Sequence, residues 1–140
     1  NHPGLQANMW QNRGEDCTPE GAPGHNWIDD DGIDTGSSGG DPMDSMGHGT
    51  YVAGIVGAVG NNGIGISGIN WQGQLMALQF LSPHGSVADE IECISYILDQ
   101  RDNGVPVRVV NASFGGSDYS LFEKEAIESL MSAGIMIAGD

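Results

Sequence analysis

The chain has 140 residues, 23 of them glycine, and carries 19 Asp and Glu against 4 Lys and Arg, for a net charge of -15. This length fits one domain with one core, and the glycine content predicts many turns and close backbone contacts. An acidic surface without clustered Lys and Arg repels phosphate backbones, which argues against nucleic acid as a partner. No stretch of about 18 apolar residues suggests a membrane span. Cations suit such a surface, although solubility alone also explains the charge.

Residues 1–46 are rich in Gly, Asp, Pro, Ser and Asn and contain only isolated apolar side chains. We interpret them as a loop-rich region that precedes an α/β core segment over residues 47–140, both within one partial domain. Cys17 and Cys93 are interpreted as free thiols, and Cys93 as a small buried hydrophobe on a helix.

The apolar run Tyr51–Val59 predicts a buried helix that stops near Gly60, with its small residues packed closely against another element. The run Leu75–Leu81 predicts a strand buried on both faces. After it, Ser86 and Asp89 form a capping box that starts a second helix, and Gly104 marks the end of that helix.

The same signals then repeat along the chain. Residues 107–112 predict a strand, and a second capping box of Ser120 and Glu123 opens a helix that ends at Gly134. A last strand follows over residues 135–138. Alternating strands and helices predict the α/β class, with a three-layer, doubly wound parallel sheet covered by helices. The predicted apolar helix faces are Val87, Ile91, Ile94 and Leu98, then Phe122, Ala126, Ile127 and Leu130.

Two glycine motifs match known patterns but stand in the wrong context. Residues 63–68 read G-x-G-x-x-G, yet they follow a predicted helix, whereas a dinucleotide site follows a strand and opens a helix. Residues 36–40 read G-x-S-x-G, but no buried strand and helix flank them as they flank a nucleophile elbow. Both runs are therefore interpreted as loops.

The strongest chemical signal is Asp44–Thr50, which leads directly into the first predicted helix. A histidine at a helix N-terminus meets the positive end of the helix dipole, which favours a neutral ring able to accept a proton. Gly47 and Gly49 would leave room for a substrate backbone beside His48, and Thr50 would satisfy first-turn amides. By itself, His48 is better explained as a histidine that only caps the helix.

Four segments resemble, in the same order, segments of the subtilisin-like serine peptidases, the subtilases of peptidase family S8. Gly47–Gly54 is similar to the family's histidine segment, and His2–Leu5 to the stretch shortly after its catalytic aspartate. Asn61–Gly68 resembles a loop that binds calcium in many members. Val110–Gly115 resembles the substrate-binding strand, so the resemblance extends over nearly the whole chain.

The resemblance implies an endopeptidase with an Asp/His/Ser triad, in which His48 is the catalytic histidine. By the same resemblance, the aspartate is expected shortly before Asn1 and the serine beyond Asp140. The oxyanion asparagine is expected just downstream or replaced, because the chain reads Ala-Gly-Asp at its end. As a central fragment, the isolated chain is expected to be inactive.

An extended polypeptide substrate is expected to add as a strand between two edge segments. The matching residues are Gly85, Ser86 and Val87 on one side, Ser113, Phe114 and Gly115 on the other, and Leu81 in a neighbouring apolar pocket. Val87 and Phe114 stand where many members have glycine and leucine, which implies a narrower cleft.

Calcium is the cofactor that the resemblance implies. Asn62 would supply a side-chain oxygen, and Gly60, Ile64 and Ile66 would supply carbonyl oxygens, but Gly4 replaces a carboxylate and weakens this site. A second candidate is the acidic run with Asp29, Asp31 and Asp34, for which a solvated charge run is the alternative.

Three functions stay open at this stage. The first is a secreted endopeptidase of which this chain is a part, and whose exposed sheet edges would make the isolated chain self-associate. The second is a non-catalytic relative that binds extended peptides. The third is a nucleotide-binding α/β module, which depends on the glycine motif alone.

Overall fold

The computed structural model describes residues 2–10, 32–34, 44, 46–81, 85–116 and 118–139. The chain divides into two compact units, Asn1–Pro83 and His84–Asp140. The predicted partial domain, with its change of composition after residue 46, stays a prediction.

The first unit combines one helix with a short parallel sheet. A 3-10 helix spans Gln6–Asn8, strand β1 spans Gly32–Asp34, helix α1 spans His48–Gly57, and strand β2 spans Ala77–Gln79. β1 and β2 are parallel, and an isolated parallel bridge joins Met9 to Leu75. β2 confirms part of the strand predicted over residues 75–81.

Within residues 1–46, the described positions include a 3-10 helix, a short strand and buried side chains. Leu5 and Trp10 are buried, as is Ala58 just after α1. The buried Asn8 donates its side-chain N–H to the carbonyl oxygens of Gly57 at 2.9 Å and Trp71 at 3.1 Å. These bonds tie the 3-10 helix to the end of α1. No periodic sequence pattern predicts the 3-10 helix or the Met9–Leu75 bridge, because a three-residue helix and an isolated bridge are too short to show one.

The last carbonyl groups of α1 are satisfied by a later segment of the chain. The N–H groups of Gly68, Ile69 and Asn70 donate at 2.9–3.0 Å. Their acceptors are, in order, the carbonyl oxygens of Ala58, Ile55 and Val56. A helix leaves its final carbonyls without intrahelical partners, so this segment acts as the C-terminal cap of α1.

The prediction that this helix is buried is wrong for one of its faces. Tyr51 is 77% exposed and Ile55 is 58% exposed, although Gly57 is buried. The run is apolar all round, so its sequence does not show which side packs within the unit.

The second unit alternates helices and strands in the predicted order. Helix α2 spans Val87–Asp102, strand β3 Val109–Ala112, helix α3 Leu121–Ser132 and strand β4 Met136–Gly139. β3 and β4 are parallel, with Val109 opposite Met136. The α/β class with parallel strands is therefore confirmed.

The predicted capping box is complete at the start of α2, and one of its two hydrogen bonds is present at the start of α3. At Ser86 both halves of the capping box with Asp89 are formed. At Ser120 the side chain accepts the N–H of Glu123 at 3.2 Å, and the reciprocal bond is not part of the described cap. Gly104 and Gly134 both have positive φ just after their helices, as glycine caps require.

The core of the second unit lies between the two helices and the strands. Tyr96, Leu130 and Ile135 are its most deeply buried side chains. Phe122, predicted on the buried face of α3, is 72% exposed. Helical spacing marks a stripe of apolar residues, but packing against α2 decides which part of that stripe is covered.

Cys93 is a buried free thiol, as predicted. Burial raises the pKa of its thiol to about 12, with a further contribution from the neighbouring carboxylates of Glu92, Asp89 and Glu90. The thiolate is therefore not available at neutral pH, and Cys93 acts as a small hydrophobe.

Glu90 on α2 carries a carboxyl group whose ionisation opposes folding. Burial raises its pKa, and the charge of Glu123 on α3 raises it further. A carboxyl group with a raised pKa costs stability above its folded-state pKa, and the cost disappears as pH falls below the usual 4.5. Glu90→Gln should therefore stabilise the chain at pH 7 by roughly 0.5 kcal/mol after allowance for solvent screening.

Thermal unfolding followed by circular dichroism at pH 7 and pH 4 tests this expectation. The gain should be present at pH 7 and absent at pH 4. Glu92→Gln makes the same charge change at an exposed site on the same helix and should change neither curve. An equal gain in both variants would show that only the net charge matters.

Candidate active site

The N-terminus of α1 is built around the carboxylate of Asp44. Its Oδ1 accepts the N–H of Met46 at 3.0 Å and of Gly47 at 2.7 Å, and its Oδ2 accepts the N–H of Thr50 at 2.6 Å. Burial of the carboxyl group would raise its pKa. The hydrogen bonds from Thr50, Gly47 and Met46 outweigh burial, so the pKa of Asp44 lies below the usual 3.8.

This arrangement corrects one detail of the sequence interpretation and adds to another. First-turn amides were assigned to Thr50, but the N–H of Thr50 is itself a first-turn donor, and the carboxylate of Asp44 accepts it. Gly47 caps the helix with φ of 85°, a left-handed conformation that side chains disfavour. Glycine is therefore favoured here by its conformation as well, and the predicted room for a substrate backbone stays a prediction.

His48 is the first residue of α1, and it is exposed. Its ring forms no hydrogen bond within the part of the chain that the structure describes. The Asp44 carboxylate supplies negative charge at the same helix end, so His48 does not face an uncompensated helix dipole. The ring thus stands at a fixed backbone position and is accessible from solvent.

The first predicted substrate edge begins at the N-terminus of α2. The N–H of Ser86 donates to the carboxylate of Asp89 at 2.8 Å, and its C=O accepts the N–H of Glu90 at 3.1 Å. Val87 is already helical. Both main-chain groups of Ser86 therefore have partners at the start of α2, so Ser86 has fewer main-chain groups to offer a peptide than Gly85 has.

The second predicted edge follows β3. Ser113 and Gly115 are exposed, and Phe114 is half-buried. The Ser113 hydroxyl accepts the side-chain N–H of Asn111 at 2.9 Å, which ties the segment to the end of β3. Leu81, the predicted pocket residue, is exposed in the first unit just after β2.

A family model matches almost the whole chain. The model of the subtilase family of peptidases, S8, matches residues 1–138. The chain belongs to the subtilase family.

Curated relatives agree with this assignment. Subtilisin-like protease 1 of Plasmodium vivax is 34% identical over 147 residues, which cover 97% of this chain and 22% of the relative. The protein of the same name from Plasmodium berghei (strain Anka) is 34% identical over 141 residues, covering 97% of this chain and 23% of the relative. Subtilisin Savinase of Lederbergia lenta is 33% identical over 95 residues, covering 68% of this chain and 34% of the relative. The subtilase chain thus spans about a fifth to a third of these relatives.

The calcium ligands expected in this subtilase chain lie in the Gly60–Ile66 loop. The side-chain oxygen of Asn62 accepts the N–H of Ile64 at 2.9 Å, and Gly4 supplies no carboxylate. The backbone of Gly60 lies directly under the Trp71 ring, which leaves no space for a side chain there. No three His, Cys, Asp or Glu side chains gather among the described residues. Because calcium favours charged oxygen ligands, this donor set does not fit the ion.

Several predicted residues fall outside this description. Asp29, Asp31 and Cys17 are among the residues that the structure does not describe. Asp34 ends β1, where its backbone is paired with Gln79. Of the helices that are described, none combines the length and apolar character needed to cross a membrane.

Asp44 belongs to the predicted histidine segment, but the sequence analysis assigned it no role. An acidic residue just before a helix is a recognisable capping signal. However, Asp44 stands three residues before the cap position, so the usual rule of a capping side chain next to the helix did not find it. Asn111 was missed because its contact with Ser113 forms only where the strand ends.

Proposed function

We propose that the protein containing this chain is a subtilisin-like serine endopeptidase in which His48 is the general base. The observation that supports this is the exposed His48 at the start of α1, in a chain that belongs to the subtilase family. His48 would take the proton from a serine hydroxyl as it attacks the peptide carbonyl, and later give it to the leaving amine. The serine and the orienting aspartate would come from other parts of the full-length protein.

The proposed substrate is a polypeptide in extended conformation. Its main chain would pair with Ser113–Gly115 on one side and with Gly85 on the other, while Leu81 would contribute to an apolar pocket. Phe114 fills more space than leucine, so the cleft would be narrower at this position. The isolated 140-residue chain is proposed to be inactive, because a histidine alone has no nucleophile to activate.

A serine-trapping fluorophosphonate tests the proposed function directly. In the full-length protein, we expect the intact mass to rise by one adduct, and we expect His48→Ala to slow that labelling strongly. The isolated chain should gain no adduct, because the proposed nucleophile lies outside it. Proteolytic mapping would then identify the labelled serine.

The outcomes of this test separate two functions. Labelling of the full-length protein supports the peptidase. An unlabelled full-length protein that still binds extended peptides would instead be the non-catalytic relative considered above.

We further propose that any calcium bound by this chain is held by Asp29, Asp31 and Asp34, since the Gly60–Ile66 loop lacks charged ligands. A ligand at hundredfold excess over its Kd stabilises a protein by about 2.7 kcal/mol. Saturating calcium should therefore raise the Tm by several degrees over EDTA. Asn substitutions at the three aspartates should abolish the rise, and Asn62→Ala should preserve it. A Tm insensitive to calcium would count against any site in this chain.

Secretion and the absence of nucleic-acid and membrane partners are proposed on the family resemblance and the charge of -15. Self-association of the isolated chain is proposed because large apolar side chains such as Ile69, Tyr119 and Phe122 are exposed. Sedimentation as a compact monomer would argue against self-association.

A further inference from the structure

The carboxylate of Asp44 binds backbone groups on both sides of His48. Two of its N–H donors, Met46 and Gly47, precede the histidine, and the third, Thr50, follows it. The same carboxylate lies against the backbone of Gly49, where an added Cβ would be 3.5 Å from Oδ2. His48 is therefore the centre of a five-residue segment whose two ends are held by one side chain.

The hydrogen bonds that Asp44 accepts belong to the strong, charge-assisted class. Backbone N–H groups that donate to a carboxylate form shorter and stronger hydrogen bonds than those that donate to neutral acceptors. Here the distances are 2.6–3.0 Å, and the pKa of Asp44 is lowered, as expected for a carboxylate that is stabilised in its charged form. In addition, the N–H of Tyr51 donates to the carbonyl oxygen of Gly47 at 3.0 Å, which closes the first turn of α1 over the same segment.

We propose that Asp44 is the positioning residue of His48, and that it fixes the histidine as the first residue of α1 through the backbone of residues 46–50. This inference rests on the proposed function, in which His48 is the general base. Asp44 makes no contact with substrate in this scheme. Its role is to hold the imidazole where a serine hydroxyl can reach it, and it is distinct from the aspartate that would orient the ring.

The variants are chosen to separate positioning from general stability. Asp44→Ala removes all three acceptor contacts. Asp44→Asn keeps one oxygen for Met46 and Gly47 but turns an N–H₂ group toward the N–H of Thr50, so it should restore function in part. Ser120→Ala removes the side-chain cap of α3, in the second unit, and serves as the matched control.

Kinetics of the full-length protein give the first readout. A misplacement of about 1 Å at a catalytic group can cost about 100-fold in rate. We expect Asp44→Ala to lower kcat by about 100-fold with KM unchanged within about twofold, and Asp44→Asn to fall between it and the native protein. Ser120→Ala should leave kcat at the native value. A native kcat in Asp44→Ala would overturn the inference while the peptidase function stood.

The second readout uses the 140-residue chain and does not depend on activity. In its NMR spectrum, the His48 Cα should show a helical secondary shift that is lost in Asp44→Ala, while Val52 and Val56 keep theirs. If His48 stays helical in that variant, the inference is wrong. If the full-length native protein has no peptidase activity, the proposed function fails, and the His48 shift alone decides whether Asp44 positions this residue.

Discussion

His48→Ala is expected to lower the kcat of the full-length protein by about 10⁶-fold, a magnitude carried over from subtilisin, a member of the same family. Under the proposed function, removal of the imidazole would leave no group to take the proton from the attacking serine or to return it to the leaving amine. KM should change little, because His48 would act in the transition state and the peptide would pair with other segments. Hydrolysis of a chromogenic peptide under saturating substrate measures the effect.

His2→Ala is the matched control for this prediction. His2 is also exposed, and its ring accepts the N–H of Gly4 at 3.1 Å. The carbonyl oxygen of Gly4 in turn accepts the N–H of Val59, just beyond the C-terminus of α1. His2 therefore lies near the opposite end of the helix from His48, and its removal should leave kcat within about twofold. Equal losses in both variants would show that His48 has a structural role only.

Gly68→Ala is expected to destabilise the first unit by about 3 kcal/mol or more. An added Cβ would lie 2.4 Å from the backbone nitrogen of Ala58 and 2.8 Å from the Cα of Gly57. Neither backbone atom can yield without moving α1. The segment of residues 68–70, which donates three N–H groups to the end of α1, would be displaced. Each of these three hydrogen bonds contributes about 1 kcal/mol.

Tryptophan fluorescence during urea unfolding measures this loss. Trp10 and Trp71 lie in the first unit, and the sequence has no tryptophan after residue 83, so the signal reports on that unit. Gly73→Ala is the matched control, because no atom of the described residues lies within 4 Å of its added Cβ. It should change the free energy of unfolding by less than about 0.5 kcal/mol. A similarly small change for Gly68→Ala would mean that the close approach to α1 is not maintained in solution.

Local signals in the sequence predicted the second unit well. The capping residues Ser86 and Ser120 and the glycines Gly104 and Gly134 bound their helices by interactions within a few residues of the chain. The parallel pairing of β3 with β4 also follows from the alternation of strands and helices.

The first unit was predicted less well, because its contacts join distant parts of the chain. β1 pairs with a strand more than 40 residues later, and Asn8 bonds to Gly57 and Trp71. The candidate site shows the same division. His48 and its glycines were found from their motif, whereas the use of Ser86 within a helix and the bonds made by Asp44 were not.

The sequence by itself determined the α/β class, the family and the candidate catalytic histidine, because each depends on residue types at short and fixed spacings. Only the tertiary structure decided why Gly68 must be glycine and how His48 is held. Both depend on which backbone atoms meet in space. A glycine that packs against the end of α1 and a carboxylate that binds amides on both sides of a histidine are contacts that no local pattern specifies.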